Sequence, residues 1–498
     1  MKLLMELRPA GDGYSGIPQE TRLLFSSLLE NENLEMTGLL NNNRSWLGNS
    51  ISKTGSDNDS LEDLQYFRSE NILSLADSER VGRLGNVRNM LGKALQIARL
   101  TTRRAIKRPI HVHDIDMSAY ADFLWRMYFA KSLPVGKFDA ITQSRYAAIK
   151  PSWSAMHSAA MTPLRPGHYA GMDTSDYDVF LSQTPWPASV SKHTQLLLRY
   201  HDAIPVLYPH TIQNPRQHQF SHYFALRFNL KQGGIAVCNS RSSRDDLVKM
   251  FPQFESQTTV IPCMVSDQYY AEPVDRKNLI DIIATSIEPK SEPVFGNALA
   301  REEFYARVLK PENFRYLLMV STIEPRKNHS LLISAWNRIR MENDPDLKLI
   351  LVGNPGWAME NVMQTMEPFR NRGMLFNNSQ ISASDLRRLY NGAEAVVCPS
   401  VAEGFDLSGI EAMLSGGKVA ASDIPVHREI YKDACEYFNP YSTEQAVDAI
   451  RQIIMKENQA NRARLIERGG IIGAEYKGDK IQARWEILLD GLKAKRSG

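Results

Sequence analysis

Ala395-Val-Val-Cys-Pro-Ser-Val-Ala-Glu-Gly-Phe-Asp-Leu-Ser-Gly-Ile-Glu-Ala-Met413 holds a strand, a loop and the start of a helix in one stretch. Ala395-Val-Val-Cys398 is a short apolar run of the kind a buried parallel strand requires, and residues 408–414 have helical spacing. Glu403 falls in the loop and Glu411 about one turn into the helix. The two carboxylates, with seven residues between them, can then face one ligand, and the helix N-terminus offers N–H groups to an anion. Gly416-Gly417 and Lys418-Val-Ala-Ala421 close the turn with a further strand.

Working upstream, Tyr316-Leu-Leu-Met-Val320 and residues 347–352 read as strands, and residues 330–341 and 384–390 as helices. Short apolar strands alternating with helices predict a parallel sheet with crossover connections, a doubly wound half. Within it, Ser321-Thr-Ile-Glu-Pro-Arg-Lys-Asn328 follows the first strand and precedes its helix. Arg326 and Lys327 therefore stand at the carboxyl edge of the sheet, where open α/β folds take their ligands. Adjacent cations there suit a diphosphate, Arg as a bidentate fork and Lys as a point charge.

The amino-terminal part opens with an apolar run at residues 3–7, then Gly11-Asp-Gly-Tyr-Ser-Gly16, then a helix at about 19–29, which is strand, glycine loop and helix again. Further strands are expected at 179–181, 194–200 and 235–238, and residues 49–63, rich in Ser, Asp, Asn and Gly, predict a flexible loop. The expected partition is an N-terminal Rossmann-like domain over 1–266 with an insertion at about 31–177, an interdomain connection over 267–313 and a C-terminal Rossmann-like domain over 314–480. A chain of 498 residues accommodates two to four domains.

With 43% hydrophobic and 23% charged residues the chain has the composition of a globular protein with large cores. Lys+Arg 59 against Asp+Glu 56 leaves a net charge of only +3, so nothing in the balance calls for nucleic acid. No apolar run approaches the roughly 18 residues a membrane span needs. The first residues lack a signal-peptide core, so the expected location is the cytoplasm. Cys238, Cys263, Cys398 and Cys435, widely spaced, read as buried thiols.

Pro399 to Met413, followed by Ser422-Asp-Ile-Pro-Val-His-Arg-Glu429, resembles the donor-site signature of the retaining GT-B glycosyltransferases of family GT4, and Glu324-Pro-Arg-Lys-Asn328 resembles their diphosphate loop. Arg199-Tyr-His-Asp-Ala-Ile-Pro-Val-Leu-Tyr208 is similar to the family's strand ending in His-Asp, and Ala236-Val-Cys-Asn-Ser-Arg-Ser-Ser-Arg-Asp-Asp-Leu247 to its last N-domain strand and helix. Val260-Ile-Pro262 matches the entry to the hinge, and residues 8–19 the first glycine loop. Matches span 1–29, 179–262 and 314–454. Asp406 and Ser408 depart from the Gly and Pro of many members, Gly417-Lys418 from Thr-Pro, and Val320-Ser321 from Gly-Arg, leaving Arg326 to supply that charge.

The resemblance implies an α/β GT-B fold, two Rossmann-like domains facing across a cleft, with residues 481–498 around Trp485 returning to the first domain. Glu403 would accept hydrogen bonds from the donor sugar, Glu411 from the nucleotide ribose, and Arg326 and Lys327 would stabilise the leaving diphosphate. His201 would lie beside the donor sugar, backbone at Phe405, Asp406 and Leu407 would recognise it, and Gly13 and Gly16 would allow close backbone approach. Asp202 is expected to cap the next turn. The implied reaction moves a hexose, with mannose from GDP-mannose as first candidate, to a saccharide or lipid-linked saccharide in surface-polysaccharide assembly, with retention and without metal or other cofactor. A nucleotide-sugar epimerase and a catalytically idle scaffold are the alternatives.

Other features stand outside that pattern. His111-Val-His113-Asp114 invites a metal, but no third ligand is apparent, and a strand end or part of the acceptor cleft is preferred. Residues 80–108 carry nine Lys or Arg and no Asp or Glu, with apolar residues at helical spacing. Such a segment suits an anionic membrane surface, as a peripheral attachment, and equally a core-facing helix with a solvated basic face. Trp125, Tyr128, Phe129, Trp153 and Tyr169 predict an acceptor-recognising region in the insertion.

Overall fold

The computed structural model describes residues 1–14, 16–41, 83–161, 167–213 and 215–497. The loop expected at 49–63 lies outside the described residues. Among them, β1 (Lys2–Glu6), β2 (Glu35–Leu40), β3 (Ile110–Ile115), β4 (Arg145–Ile149), β5 (Met172–Asp173), β6 (Val179–Ser182), β7 (Gln195–Tyr200), β8 (Ile235–Cys238) and β9 (Thr258–Val260) form one sheet in the order β5-β3-β4-β2-β1-β6-β7-β8-β9. Only β3 with β4 is antiparallel. A second, wholly parallel sheet runs β12-β11-β10-β13-β14-β15, from β10 (Tyr316–Val320), β11 (Lys348–Val352), β12 (Leu375–Asn378), β13 (Ala395–Cys398), β14 (Val419–Ser422) and β15 (Cys435–Phe438). Strand order reverses between β10 and β13 and between β1 and β6, the positions at which doubly wound sheets leave a crevice beyond their carboxyl ends.

Burial on both faces explains the unbroken apolar strands of the second sheet. Leu317 and Met319 of β10 face a layer with Leu332, Trp336 and Ile339 of the His329–Glu342 helix, whereas Tyr316 and Leu318 face the opposite core. β1 alternates in the same way, Leu3 and Met5 to one side and Leu4 to the other. The Gly478–Ser497 helix crosses back to the first domain, where Ile481, Trp485, Leu489 and Leu492 join its core.

Two boundaries differ from the sequence partition. Residues 31–177, expected as an insertion, supply β2 and β4, which run parallel inside the main sheet. Gly38 within β2 hid the strand: a Cβ there would come within 2.4 Å of the Leu7 side chain, so packing excludes one. Residues 267–313, expected as a connection, contain the helices Arg276–Thr285 and Ala298–Val308, whose Leu279, Ile283 and Tyr305 enter the second domain's core. Trp125, Tyr128, Phe129 and Tyr169 are buried in N-domain cores instead of lining an open acceptor surface, and Trp153 is half-buried with Arg8 4.5 Å over its ring. All four cysteines are buried and free.

Candidate functional site

The cleft is built from loops at the carboxyl ends of the two sheets. On the first domain, the loop after β1 is shaped by Arg22, a fully buried residue of the Ile17–Leu29 helix. Its guanidinium donates to the carbonyls of Ala10 (2.8 and 2.9 Å), Asp12 (2.9 Å) and Gly13 (2.5 Å) and to Ser132 Oγ (2.8 Å). Lys131 Nζ adds a bond to Asp12 O at 2.9 Å. Gly16 caps that helix at φ 70°, a left-handed geometry that favours glycine. The site's need for Gly16 is thus conformational, since a Cβ there would meet nothing within 4 Å.

On the second domain, Arg326 and Lys327 converge on Glu403. Arg326 Nη1 and Lys327 Nζ each lie 2.5 Å from a different Glu403 oxygen, and Arg326 Nε lies 2.6 Å from Glu324. Asn328, in the left-handed region, donates to Pro399 O and Pro440 O, and Val401 N donates to Arg326 O. The loop after β10 is therefore stitched to the loop after β13 across the strand-order reversal. Burial would raise the Glu403 carboxyl, but Arg326 and Lys327 outweigh it and hold the group below its usual range. Glu324 is raised, by burial above all, toward its neutral form. Arg326 and Lys327 thus stand preorganised at the carboxyl edge of the sheet, Arg326 between Glu403 and Glu324 with Asp202 nearby and Lys327 on Glu403.

Asp406 acts as helix cap: its Oδ1 accepts from Ser408 N (3.2 Å) and Ser408 Oγ (2.6 Å), and Oδ2 lies 3.3 Å from His427 Nε2. Its carboxyl is held low against burial by His427, Lys327 and Ser408. The two departures from the family pattern at 406 and 408 are one capping pair. Phe405 packs edge-on to Tyr476, and Leu407 lines the cleft.

Glu403 and Glu411 do not face one cavity. Glu411 lines a cavity of about 240 Å³ with Gly13, Tyr14 and Gln19 of the first domain and Ser321 and Thr322 of the second, while Glu403 lines one of about 210 Å³ with Asp202 and Tyr208. The domains touch between them. A Cβ on Gly404 would sit 1.9 Å from His201 O, so only glycine allows this approach. Ser240 and Ser243 Oγ donate to Gly404 O (2.8 and 3.2 Å), and Ser243 Oγ also to His201 O (3.0 Å). Glu429 accepts from Arg241 N (2.7 Å) and Ser242 N (3.0 Å), capping the N-terminus of the Arg241–Met250 helix from the opposite domain.

Gln19 Nε2 reaches across to Glu411 Oε1 at 2.8 Å, and Tyr390 OH donates to Oε2 at 3.2 Å. Burial pushes the Glu411 carboxyl up to about 7 against the lowering effect of those bonds. Asp202 Oδ1 accepts from Ile204 N at 2.9 Å and so caps the following turn. His201 stands beside Glu20, with Nδ1 3.3 Å from Oε2. The sequence singled out His201 but not Glu20, Arg22 or Arg199, because a buried charge on an amphipathic helix or strand leaves no mark in the apolar pattern. The strands and loops place His201, Arg326, Lys327, Glu403, Phe405, Asp406, Leu407 and Glu411 around the interdomain contact, while Gly16 caps the helix behind the first glycine loop. His111 and His113 lie apart, on β3 near the sheet edge.

The glycosyl transferases group 1 family model matches residues 300–470. The O-antigen chain mannosyltransferase RfbU of Salmonella typhimurium is 31% identical over 176 residues, 35% of this chain and 48% of that protein. The O-antigen chain mannosyltransferase B of Escherichia coli is 34% identical over 144 residues, 29% and 37% respectively. The match thus spans half or less of these relatives' length. Among solved structures, sucrose-phosphate synthase of Thermosynechococcus elongatus has a TM-score of 0.56 at 14% identity, covering 99% of both chains. Anabaena HepE in complex with UDP-glucose has a TM-score of 0.55 at 14% identity, covering 99% of this chain and 100% of that one. With its two sheets facing across a cleft, the chain has the GT-B fold, and residues 300–470 are similar to the glycosyl transferases group 1 family.

Proposed function

We propose that the protein is a retaining hexosyltransferase that moves mannose from GDP-mannose to a saccharide or lipid-linked saccharide acceptor. The observation that carries this is the Arg326–Lys327–Glu403 cluster at the reversal of strand order, opposite His201. A leaving nucleoside diphosphate gains charge as the C1–O bond breaks, and preformed cations in a dry site stabilise that charge best. Glu403, ionised and fixed, would accept from hydroxyls of the sugar, and Glu411 from the ribose diol in the adjoining cavity. The acceptor hydroxyl would attack C1 on the face the diphosphate leaves and pass its proton to the departing phosphate oxygen, so no dedicated base is needed. The mannosyl donor is supported by the mannosyltransferase relatives, both of O-antigen assembly.

A cavity of about 240 Å³ is smaller than the roughly 300 to 1,000 Å³ common for ligand clefts. The donor would therefore enter with the domains parted, breaking Gln19–Glu411, and closure would follow. Isothermal titration with GDP, UDP, dTDP and their sugars tests the donor: GDP-mannose should bind tightest, and preference for a UDP sugar would overturn that choice.

The acceptor side would meet a membrane surface through the Arg83–Ala105 helix. Met90, Leu91 and Leu95 are exposed there beside Lys93 and Arg99, a pairing suited to anionic lipid. No helix among the described residues is long and apolar enough to cross a membrane. Co-sedimentation with phosphatidylglycerol vesicles should fall with salt and with Arg99, Arg103, Arg104 and Lys107 changed to Gln. Binding that survives the change would refute this attachment.

A further inference from the structure

Beneath His201 lies a set of buried charges that the proposed transfer does not use. Glu20, on the Ile17–Leu29 helix, is 2% exposed and Arg199, on β7, is fully buried. Arg199 grips Glu20 Oε1 through Nε at 2.6 Å and through Nη2, and also donates to Ile261 O (2.5 Å). Cys263 Sγ donates to Glu20 Oε2 at 3.2 Å, and the Arg199 guanidinium lies 5.6 Å from the Trp485 ring. The same Oε2 faces His201 Nδ1 at 3.3 Å. His201 Nε2 is buried and has no hydrogen-bond partner.

We propose that Glu20 is a positioning residue for His201: it accepts a hydrogen bond from Nδ1–H, fixes the ring, and leaves Nε2 as the bare acceptor for a hydroxyl of the donor sugar. This rests on the proposed placement of His201 beside that sugar. Burial would raise the Glu20 carboxyl, but Arg199 and His201 outweigh it and keep the group ionised. An ionised carboxylate only accepts hydrogen bonds, so the nitrogen facing it must carry the hydrogen. Burial, with Arg199 adding to it, lowers the imidazole below its usual range despite Glu20, Asp202 and the Gln183 backbone, which also faces the ring. The ring is then neutral near pH 7, with one N–H, and that N–H is at Nδ1. The backbone is fixed as well, because Ser243 Oγ holds His201 O. A carboxylate or carbonyl behind a functional imidazole commonly sets its tautomer in this way. Here Arg199 and Cys263 anchor the carboxylate.

The test is a long-range proton–nitrogen correlation spectrum of the full chain labelled at histidine nitrogen, with His201 assigned by its loss in His201→Gln. Wild type should show a protonated Nδ1 and a bare Nε2 at His201. Glu20→Gln should lose that single tautomer, lower kcat for mannosyl transfer at least tenfold and leave the donor KM within twofold. Because Glu20→Gln strands the Arg199 charge and can unfold the protein, Glu20→Gln/Arg199→Met removes both charges together and should show the same two changes. A wild-type His201 with its hydrogen on Nε2, or a folded double variant that keeps the Nδ1–H tautomer, overturns the proposal. Inactivity of the wild type with every donor would count against the transferase function alone, because the tautomer is read without turnover.

Discussion

Glu411 makes the sharpest prediction about energetics. It is buried at the foot of the cleft, bonded to Gln19 and Tyr390, and burial moves its carboxyl from the usual 4.5 to about 7. Each tenfold change in proton affinity is worth about 1.4 kcal/mol, so the difference amounts to about 3 kcal/mol. A folded-state value above the unfolded one means that between pH 4.5 and 7 the native protein holds a proton the unfolded chain has released. Stability therefore falls as pH rises through that window, and the loss is complete above it. Glu411→Gln keeps an acceptor for Gln19 and imitates the protonated group, so it should be nearly neutral at pH 5 and stabilising by up to about 3 kcal/mol at pH 8. For a unit of 150–250 residues this is a rise of up to roughly 6 to 12 °C in melting midpoint. Differential scanning fluorimetry of both proteins from pH 5 to 8 decides it: parallel curves would refute the titration. The same physics predicts that GDP binding near pH 6.5 releases a proton, because ribose hydroxyls favour the carboxylate. Calorimetry in buffers of different ionisation enthalpy reads that release.

Gly404→Ala should leave both domains folded but hold them apart, since its Cβ would sit 1.9 Å from His201 O. Transfer should fall about a hundredfold, with a larger radius of gyration in small-angle scattering; an active, compact variant would refute the contact. Arg326→Ala/Lys327→Ala leaves Glu403 buried without partners and should cost about 3–5 kcal/mol of stability, unlike the loss of exposed loop cations. Adding Glu403→Gln should restore most of the melting midpoint while nucleotide binding stays weak, and a double variant of unchanged stability would contradict the ion-pair geometry.

The second domain was legible because its strands are buried on both faces and read as apolar runs, as in Tyr316-Leu-Leu-Met-Val320. The motif at 399–413 then located the crevice. β2 and β4 were not legible: Gly38 interrupts one and Arg145-Tyr-Ala-Ala-Ile149 lacks the branched run of a typical buried strand. The helices at 276–308 escaped because their apolar faces are short and set among Lys, Glu and Pro. Residues named by motif sit on facing loops of the two domains and line two cavities, and the partners that tune them come from distant sequence. Gln19 meets Glu411 across 392 positions and Glu20 meets Arg199 across 179. Nothing local announces such pairs, and the spacing of Glu403 and Glu411 suggested a shared ligand face that the Gly404–His201 contact divides.

Retention in the proposed transfer would follow from a cationic cluster that stabilises a departing diphosphate. The most direct test is the anomeric configuration of the fresh product, formed from GDP-mannose and a mannose-terminated acceptor and read from its one-bond C1–H1 coupling by NMR. An α-linked mannosyl product from the α-linked donor is the predicted result, and a β-linkage would contradict it.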